Sequence, residues 1–226
     1  MALSSKPSLV LIDLDGTLVD SVPDLAYCVD EMMNALGKNP WGVEKVRSWV
    51  GNGVDRLIMR ALTDTLWDDP PEDLFNKAQP IFMDLYAKNT SGRSCLYDGV
   101  VEGLDYLKSN GFKVGCVTNK AEAFTVPLLK DMGIFDKFDI VVSGDTTPKK
   151  KPDPLPLLYA AEKMGKEPAD CLMVGDSMHD VEAARNAGFH VVSVPYGYNH
   201  GVDIREANPD AVIDSLAELK TLLEAA

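Results

Sequence analysis

The sequence predicts an α/β protein with a parallel sheet flanked by helices. Short apolar runs alternate with helical patterns through most of the 226 residues, and this alternation is typical of parallel strands covered by helices. One long helical stretch interrupts the alternation early in the chain. The composition is 46% hydrophobic and 25% charged, which is ordinary for a globular protein of one or two domains.

The apolar runs give the strands of this sheet. We expect six strands, at residues 9–13, 113–117, 139–143, 171–175, 190–194 and 210–213. Helical patterns lie between most of them. Two examples are residues 100–109, which stop near Gly111, and residues 178–187, which end at Gly188. Glycine is favoured just after a helix C-terminus.

The interval between the first two strands is too long for a simple crossover. A parallel crossover needs about a dozen residues, so roughly 80 are in excess here. The pattern of these residues predicts helices. Ser21 is placed to cap a first helix that Gly37 ends, and the same apolar spacing recurs later in the interval. Pro80 is expected to kink the last of these helices. The later helical pieces lie at residues 42–50, 54–62 and 72–88.

This pattern predicts two domains. We expect an α/β core made of residues 1–18 and 93–226, and a small helical domain made of residues 19–92. Because the insertion leaves the core just after the first strand, it should lie over the C-terminal ends of the strands. In open α/β sheets, ligands bind at that edge.

Carboxylates collect at the predicted strand ends. Asp13 and Asp15 end the first apolar run, and Asp176 follows another strand, with Asp180 four residues later. Two like charges about 4 Å apart repel by roughly 4 kcal/mol at an effective dielectric near 20, so a cation is expected between them. Oxygen ligands without a nearby histidine favour Mg²⁺.

Two other strand ends supply hydrogen-bond donors and positive charge. Thr118 and Asn119 follow the second strand and offer a hydroxyl and an amide. Lys151 follows the third, and the restricted backbone at Pro152 and Pro154 can direct it inward. These groups suit the oxygens of a phosphate. The neighbouring Lys149 and Lys150 are interpreted as a solvent-exposed patch.

The motifs "DLDGT" (13–17), "VTN" (117–119), "KP" (151–152) and "GDSMHD" (175–180) resemble, in this order, the four motifs of the haloacid dehalogenase superfamily. The resemblance implies a Rossmann-like core with an inserted α-helical cap. Within that superfamily, "DSVPDL", "WVGNGVDRLIMRAL" and "YDGV" are similar to the bacterial phosphoglycolate phosphatases. A Mg²⁺-dependent phosphomonoesterase is therefore expected, with 2-phosphoglycolate as its substrate.

The resemblance also implies roles for the motif residues. Asp13 would attack phosphorus to form an aspartyl phosphate, and Asp15 would act first as general acid and then as general base. The resemblance further implies that the metal is held by Asp13, the main-chain oxygen of Asp15 and Asp176, with Asp180 in support. It implies that the phosphoryl oxygens are stabilised by Thr118, Asn119 and Lys151. It also implies that Gly16 and Thr17 let the backbone approach the phosphoryl group.

Substrate choice is expected to lie in the helical insertion. Gly51, Asn52 and Gly53 precede a short helix, and exposed N–H groups at a helix N-terminus can bind a carboxylate. Arg56 is a candidate for added positive charge, whereas Arg60 is interpreted as a surface residue. Four other residues receive no role, because no catalytic partner is evident for them: Cys95, His179, His190 and His200.

Charge and cysteine content limit the partners. A formal net charge of −13 argues against nucleic acid and anionic membrane, since both require a basic surface. The four cysteines form no C-x-x-C pair and are expected to be free thiols. With no apolar segment long enough for a signal peptide or membrane span, we expect a cytoplasmic enzyme, a monomer or homodimer, that acts on a small phosphate ester.

Other functions remain open at this point. A phosphorylated receiver module also uses an acidic pocket, but it needs neither paired aspartates on its first strand nor a large insertion. The superfamily's dehalogenases lack an aspartate at the place of Asp15, and its phosphonate hydrolases use a cap lysine that the first insert helix lacks. A sugar phosphomutase and a phosphatase of another sugar ester, such as N-acetylmuramic acid 6-phosphate, are the main alternatives.

Overall fold

The computed structural model describes residues 6–225, and its centre is a parallel sheet. The strands are β1 (Leu9–Ile12), β2 (Val19–Asp20), β3 (Cys95–Leu96), β4 (Lys113–Val117), β5 (Ile140–Val142), β6 (Cys171–Gly175), β7 (His190–Ser193) and β8 (Ala211–Val212). Six of them form one parallel sheet in the order β5-β4-β1-β6-β7-β8. The predicted fold class is confirmed, and β1 lies near the middle of the sheet.

Helices cover both faces of this sheet. The α-helices are α1 (Val22–Ala35), α2 (Val43–Arg47), α3 (Val54–Thr63), α4 (Glu72–Lys88), α5 (Val100–Ser109), α6 (Glu122–Asp131), α7 (Leu155–Met164), α8 (Met178–Ala187) and α9 (Leu219–Glu224). Short 3₁₀ turns occupy Phe135–Lys137, Pro168–Asp170, Ile204–Ala207 and Leu216–Glu218. The C-terminal ends of the parallel strands stay open between these layers, and the polar residues of the motifs follow them.

The alternation of side chains along β1 explains why the sheet is buried on both faces. Val10 and Ile12 belong to the apolar cluster beneath α5 and α9, whereas Leu9 and Leu11 belong to the cluster beneath α7 and α8. Successive side chains of a strand point to opposite faces, and all four are fully buried. A parallel strand covered on both faces therefore reads as one continuous apolar run.

Helices α1 to α4, here called the helical insert (residues 22–88), contribute most of a third apolar cluster, which Phe124 and Tyr198 of the core complete. The chain leaves the core through β2 and returns through β3, and these two short strands pair antiparallel, with Val19 opposite Leu96. The two connections thus lie side by side. The domain boundaries after residues 18 and 92 stay a prediction.

Two local predictions for the insert differ from the structure. Ser21 precedes α1, but its side chain does not cap the helix, because its Oγ donates to Asp15 instead. The predicted piece at 42–50 is only the five-residue α2. Pro80, where a kink is expected, does not interrupt α4, which continues to Lys88.

The cysteines are all free thiols, as predicted, although Cys95 is exposed and the other three are buried. Within residues 6–225, none of the helices is both long and apolar enough to cross a membrane.

Candidate active site

Three carboxylates converge at the ends of β1 and β6. Oxygens of Asp13, Asp176 and Asp180 lie within 4.8 Å of one another, because Asp13 and Asp176 follow neighbouring strands and Asp180 lies in the first turn of α8. Burial, together with repulsion from Asp180 and Asp15, raises the pKa of Asp13 to about 7 even though Lys151 opposes the shift. Burial and the charges of Asp13 and Asp180 also raise the pKa of Asp176 well above its ordinary value.

The donor set of this cluster fits a divalent cation. The ligands are oxygen atoms from carboxylates that lie close together, and hard cations such as Mg²⁺ prefer such ligands. The carboxylate of Asp15 is not part of the cluster. This agrees with the prediction that Asp15 binds the metal through its main-chain oxygen.

Lys151 lies between two of these carboxylates. Its Nζ is 2.9 Å from Asp13 Oδ1 and 2.6 Å from Asp180 Oδ1, and it also donates to the main-chain oxygen of Val117 at 2.8 Å. Burial alone would lower the pKa of Lys151, but Asp13 and Asp180 hold it above its ordinary value. Lys151 is therefore a buried cation beside the Asp13 carboxylate, as the sequence predicts.

Asp180 also has a structural role at the start of α8. Its Oδ2 accepts hydrogen bonds from the main-chain N and the hydroxyl of Ser177, at 3.1 and 2.6 Å, in a capping box. Since its Oδ1 accepts from Lys151, Asp180 has fewer free lone pairs than Asp13 for a metal ion.

Thr118 and Asn119 differ in what their side chains face. Thr118 Oγ1 accepts from the main-chain N–H of Lys120 at 3.1 Å, which leaves its hydroxyl hydrogen free to donate. The side chain of Asn119 accepts from the Lys151 N–H and donates to the Lys151 carbonyl, both at 2.9 Å. Both ends of the Asn119 amide thus hold the backbone of Lys151, and the second hydrogen of its NH₂ group stays a predicted donor to the substrate.

Gly16 and Thr17, which are predicted to let the backbone approach the phosphoryl group, both lie beside Asp176. Thr17 is fully buried, and its hydroxyl donates to Asp176 Oδ1 at 2.7 Å. Gly16 has φ +89°, and a Cβ there would lie 2.3 Å from Asp176 Oδ2. Neither residue lines the cavity described below. Their role in this structure is to fix the carboxylate of Asp176.

Lys120 is a site residue that sequence reasoning missed. Its buried Nζ lies 2.8 and 3.0 Å from the two carboxylate oxygens of Asp15, and Ser21 Oγ donates to Asp15 Oδ1 at 2.5 Å. Asp15 counteracts the effect of burial and keeps the pKa of Lys120 above its ordinary value. The available signal was its position: Lys120 comes two residues after Thr118, in the loop that directly follows β4.

A cavity lies between the carboxylate cluster and the helical insert. It encloses about 70 Å³, well below the roughly 300 Å³ at which drug-sized pockets begin, so it suits a small ligand. From the core it is lined by Asp13, Asp15, Thr118, Asn119, Lys120, Lys151, Asp176, Ser177, His179, Asp180 and Tyr198, and from the insert by Leu25, Val50, Gly51, Asn52, Gly53, Val54 and Leu57.

Residues 48–53 of the insert, here called the substrate loop, approach the core at this cavity. Gly51, Asn52 and Gly53 all have positive φ, at +131°, +67° and +88°, and Gly53 precedes the first turn of α3. The predicted juxtaposition of this loop with the motif residues is present, since both line the same cavity.

The two arginines of α3 have roles opposite to those predicted. Arg56 does not line the cavity, because its guanidinium pairs with Asp69 at 2.6 Å and donates to the main-chain oxygen of Trp67 at 2.6 Å. Arg60 is not a surface residue: it is 1% exposed. It donates to the main-chain oxygens of Trp49 and Gly51 at 2.5 and 3.1 Å. Arg60, and not Arg56, therefore shapes the substrate loop.

Comparisons with known proteins agree with this arrangement. A family model described as haloacid dehalogenase-like hydrolase matches residues 7–188. A protein named phosphoglycolate phosphatase from Nitrosococcus oceani is 61% identical, with 98% of each chain covered, and another of that name from Nitrosospira multiformis is 49% identical, with 95% of each covered.

A solved structure gives the same result for the fold. The crystal structure of a predicted phosphoglycolate phosphatase from Haemophilus somnus 129PT superimposes with a TM-score of 0.90 at 34% sequence identity, covering 97% of this chain and 99% of that one. The family match spans most of the chain and includes all four strand-end motifs. This chain is therefore a member of the haloacid dehalogenase-like hydrolases.

Proposed function

We propose that this chain is a Mg²⁺-dependent phosphomonoesterase that hydrolyses 2-phosphoglycolate to glycolate and phosphate. The single observation that carries the proposal is the cavity itself, in which the carboxylate cluster and Lys151 lie opposite Gly51, Asn52 and Gly53 of the substrate loop. The similar proteins from Nitrosococcus oceani and Nitrosospira multiformis bear the name phosphoglycolate phosphatase. Phosphatases of this family generally use a divalent metal ion.

The metal would be held by the carboxylates of Asp13 and Asp176 and the main-chain oxygen of Asp15, with Asp180 in support. When bound, Mg²⁺ supplies positive charge that offsets the repulsion among these carboxylates and the phosphate oxygens. The side chains of Thr17 and Asn119 take part indirectly, since they fix Asp176 and the Lys151 backbone.

Asp13 is the nucleophile in this mechanism. Its carboxylate oxygen forms a bond to phosphorus while the bond from phosphorus to the ester oxygen breaks, which leaves an aspartyl phosphate and the alcohol. Lys151 and the hydroxyl of Thr118 line the cavity beside Asp13 and stabilise the charged phosphoryl oxygens. Positioning and electrostatic stabilisation of this kind dominate phosphoryl transfer.

Asp15 moves the protons. It donates one to the departing ester oxygen and then accepts one from the water that attacks the aspartyl phosphate, so the cycle returns Asp13 and Asp15 to their starting states. The contacts of its carboxylate with Lys120 and Ser21 hold it at the cavity wall. Lys120 thus fixes the position of this carboxylate.

The insert provides specificity. The main-chain N–H groups of Gly51, Asn52 and Gly53 are proposed to bind the carboxylate of phosphoglycolate, since they precede a helix N-terminus where an anion is favoured. The similar proteins named phosphoglycolate phosphatase favour this substrate over N-acetylmuramic acid 6-phosphate and over the substrates of a sugar phosphomutase.

A steady-state screen tests the proposal. The full chain, supplied with Mg²⁺, would be assayed on 2-phosphoglycolate, N-acetylmuramic acid 6-phosphate, several sugar phosphates and p-nitrophenyl phosphate. We expect the highest kcat/KM on 2-phosphoglycolate. The Asp13→Asn protein, purified in the same way, controls for contaminating phosphatases. A higher kcat/KM on a sugar phosphate, or transfer of phosphate within a sugar without its release, would overturn the proposal.

A further inference from the structure

Two histidines of the core contact the substrate loop of the insert. His179 lies in the first turn of α8 and His200 lies after β7, and their rings are 6.5 Å apart with planes at 89°. His179 Nε2 is 3.0 Å from Asn52 Nδ2, and His200 Nδ1 is 2.9 Å from the main-chain oxygen of Ser48. The two imidazoles therefore contact both ends of the segment from Ser48 to Asn52.

The orientation of Asn52 follows from its second contact. A guanidinium only donates hydrogen bonds, and Arg60 donates to Asn52 Oδ1 at 3.0 Å. The other end of the Asn52 amide, its NH₂ group, therefore faces His179. His179 Nε2 must accept this hydrogen bond, which defines a neutral ring with its proton on Nδ1. At the other end, a carbonyl only accepts, so His200 Nδ1 donates to Ser48.

The loop needs such support because its backbone is unusual. Asn52 is one of the few residues other than glycine with positive φ, and it lies between two glycines that also have positive φ. A flexible glycine-rich segment loses much conformational entropy when it is held in one shape. Arg60 holds the loop from within the insert, whereas His179 and His200 hold it against the core.

We propose that His179 and His200 are positioning residues that hold the substrate loop against the core, and that they thereby determine specificity for a substrate with a carboxylate. Arg60 sets the internal shape of the loop, and the two histidines set its distance from the reacting groups. The part of this inference that concerns the carboxylate rests on the proposed function. The part that concerns the loop's position does not.

His200 separates positioning from direct contact with substrate. His179 lines the cavity, so a variant could act by touching the ligand, but His200 does not line it. We expect His179→Ala and His200→Ala each to raise KM for 2-phosphoglycolate about tenfold. Each variant loses one hydrogen bond to the loop, and a hydrogen bond of about 1.4 kcal/mol corresponds to a tenfold change. kcat should change less, and kcat/KM for p-nitrophenyl phosphate should fall much less than that for 2-phosphoglycolate.

Conservative and control variants complete the kinetic test. His179→Gln keeps an acceptor for Asn52 and should recover most of the loss. His179→Ala should add little further loss to Asn52→Ala, because the hydrogen bond between the two side chains is already absent in that background. Met178→Ala is the matched control: Met178 is exposed, next to His179 on α8, and should leave KM unchanged.

The decisive experiment is hydrogen exchange of the substrate-free full chain, measured by mass spectrometry on peptides that span residues 46–58. The main-chain N–H groups of Trp49 and Leu57 flank the loop centre and are hydrogen-bonded, so they report whether the loop is held. We expect faster exchange in His179→Ala and His200→Ala, and wild-type exchange in His179→Gln and Met178→Ala.

The possible outcomes separate the two proposals. Unchanged exchange in both alanine variants would overturn the positioning role, whatever the substrate is. Equal losses of kcat/KM on 2-phosphoglycolate and p-nitrophenyl phosphate would overturn the specificity role. If the wild-type enzyme prefers another ester, the proposed function fails, and faster exchange in the alanine variants would still support the positioning role.

Discussion

The two faces of the cavity are built from different chemistry. The core face carries the carboxylates and the buried ammonium groups of Lys120 and Lys151. All of them lie on strand ends or on the loops that follow, except Asp180, which lies in the first turn of α8. The insert face, among the lining residues, has only apolar side chains, glycines and Asn52. From this difference we infer that the core face makes and breaks bonds, whereas the insert face selects the substrate. Changes in the core should reduce turnover of every ester, and changes in the insert should alter which ester is preferred.

The largest effect is expected from Asp13→Asn, which removes the nucleophile from the core face. Turnover should fall by on the order of 10⁴-fold or more on every phosphate ester. The fold should remain, because an amide replaces a carboxylate that is repelled by its neighbours, and circular dichroism and thermal unfolding check this. Phosphate release near the wild-type rate from the folded variant would contradict the role of Asp13.

Removal of the metal ion should have an effect of the same kind. Chelation with EDTA should abolish turnover on all esters, and added Mg²⁺ should restore it, because three converging carboxylates and a phosphate would otherwise repel one another. Steady-state assays before and after dialysis against the chelator measure this. Full activity of the chelated, folded protein would show that the cluster serves another purpose.

Asp15→Asn should have the next largest effect. Both the formation and the breakdown of the aspartyl phosphate should slow by about 10²- to 10⁴-fold, since each step needs a proton transfer. Single-turnover kinetics on 2-phosphoglycolate and on p-nitrophenyl phosphate separate the two steps. If both rate constants stay at wild-type values, Asp15 is not the acid and base.

Gly53→Val tests the insert face. Valine is disfavoured at φ +88°, and its side chain would crowd Lys150 Nζ, 3.3 Å from the Cβ position. kcat/KM for 2-phosphoglycolate should fall by roughly a hundredfold, because two hydrogen bonds to a charged group are lost. kcat/KM for p-nitrophenyl phosphate should fall far less.

The matched control for this variant is Gly42→Val. Gly42 also has positive φ and precedes a helix of the insert, but a Cβ there meets no neighbour within 4 Å, and it does not line the cavity. It should leave the ratio of the two kcat/KM values unchanged. Equal losses on both esters in Gly53→Val would remove the substrate loop from its role in specificity.

The smallest effect is expected from Arg56→Ala. Because its guanidinium pairs with Asp69 and donates to the carbonyl of Trp67, its loss should lower the free energy of unfolding by about 1 kcal/mol. kcat/KM for 2-phosphoglycolate should stay within about threefold of wild type, a change of less than 1 kcal/mol. Asp69→Ala should destabilise to a similar degree. A selective loss on 2-phosphoglycolate as large as that of Gly53→Val would return Arg56 to the binding site.

The core could be predicted from the sequence because its signals are local. Most apolar runs end at a polar residue, and parallel strands bring their C-terminal ends to one edge, so Asp13 and Asp176 were expected on the same edge. That they are direct neighbours follows from the pairing of β1 with β6. The same logic placed Lys151. Local signals also gave the helices of the insert, apart from the exact extent of α2 and the use of the Ser21 hydroxyl.

The remaining contacts join residues far apart in sequence, and no local pattern reports them. Asn52 and His179 are 127 positions apart, and Thr17 and Asp176 are 159 apart. A motif can say that Asn119 follows a strand, but only packing decides that its amide holds Lys151. Likewise, burial of Arg60 depends on how α3 meets the substrate loop.

The division between the two faces is tested most directly by one ratio in the wild-type enzyme: kcat/KM for 2-phosphoglycolate divided by kcat/KM for ethyl phosphate, with Mg²⁺ present. The two esters differ chiefly in the carboxylate, so the reacting phosphate is the same and only the contact with the substrate loop changes. Two hydrogen bonds to that carboxylate predict a ratio of roughly a hundred or more. A ratio near one would contradict the assignment of substrate choice to the loop. Only the phosphatase chemistry of the core would then remain.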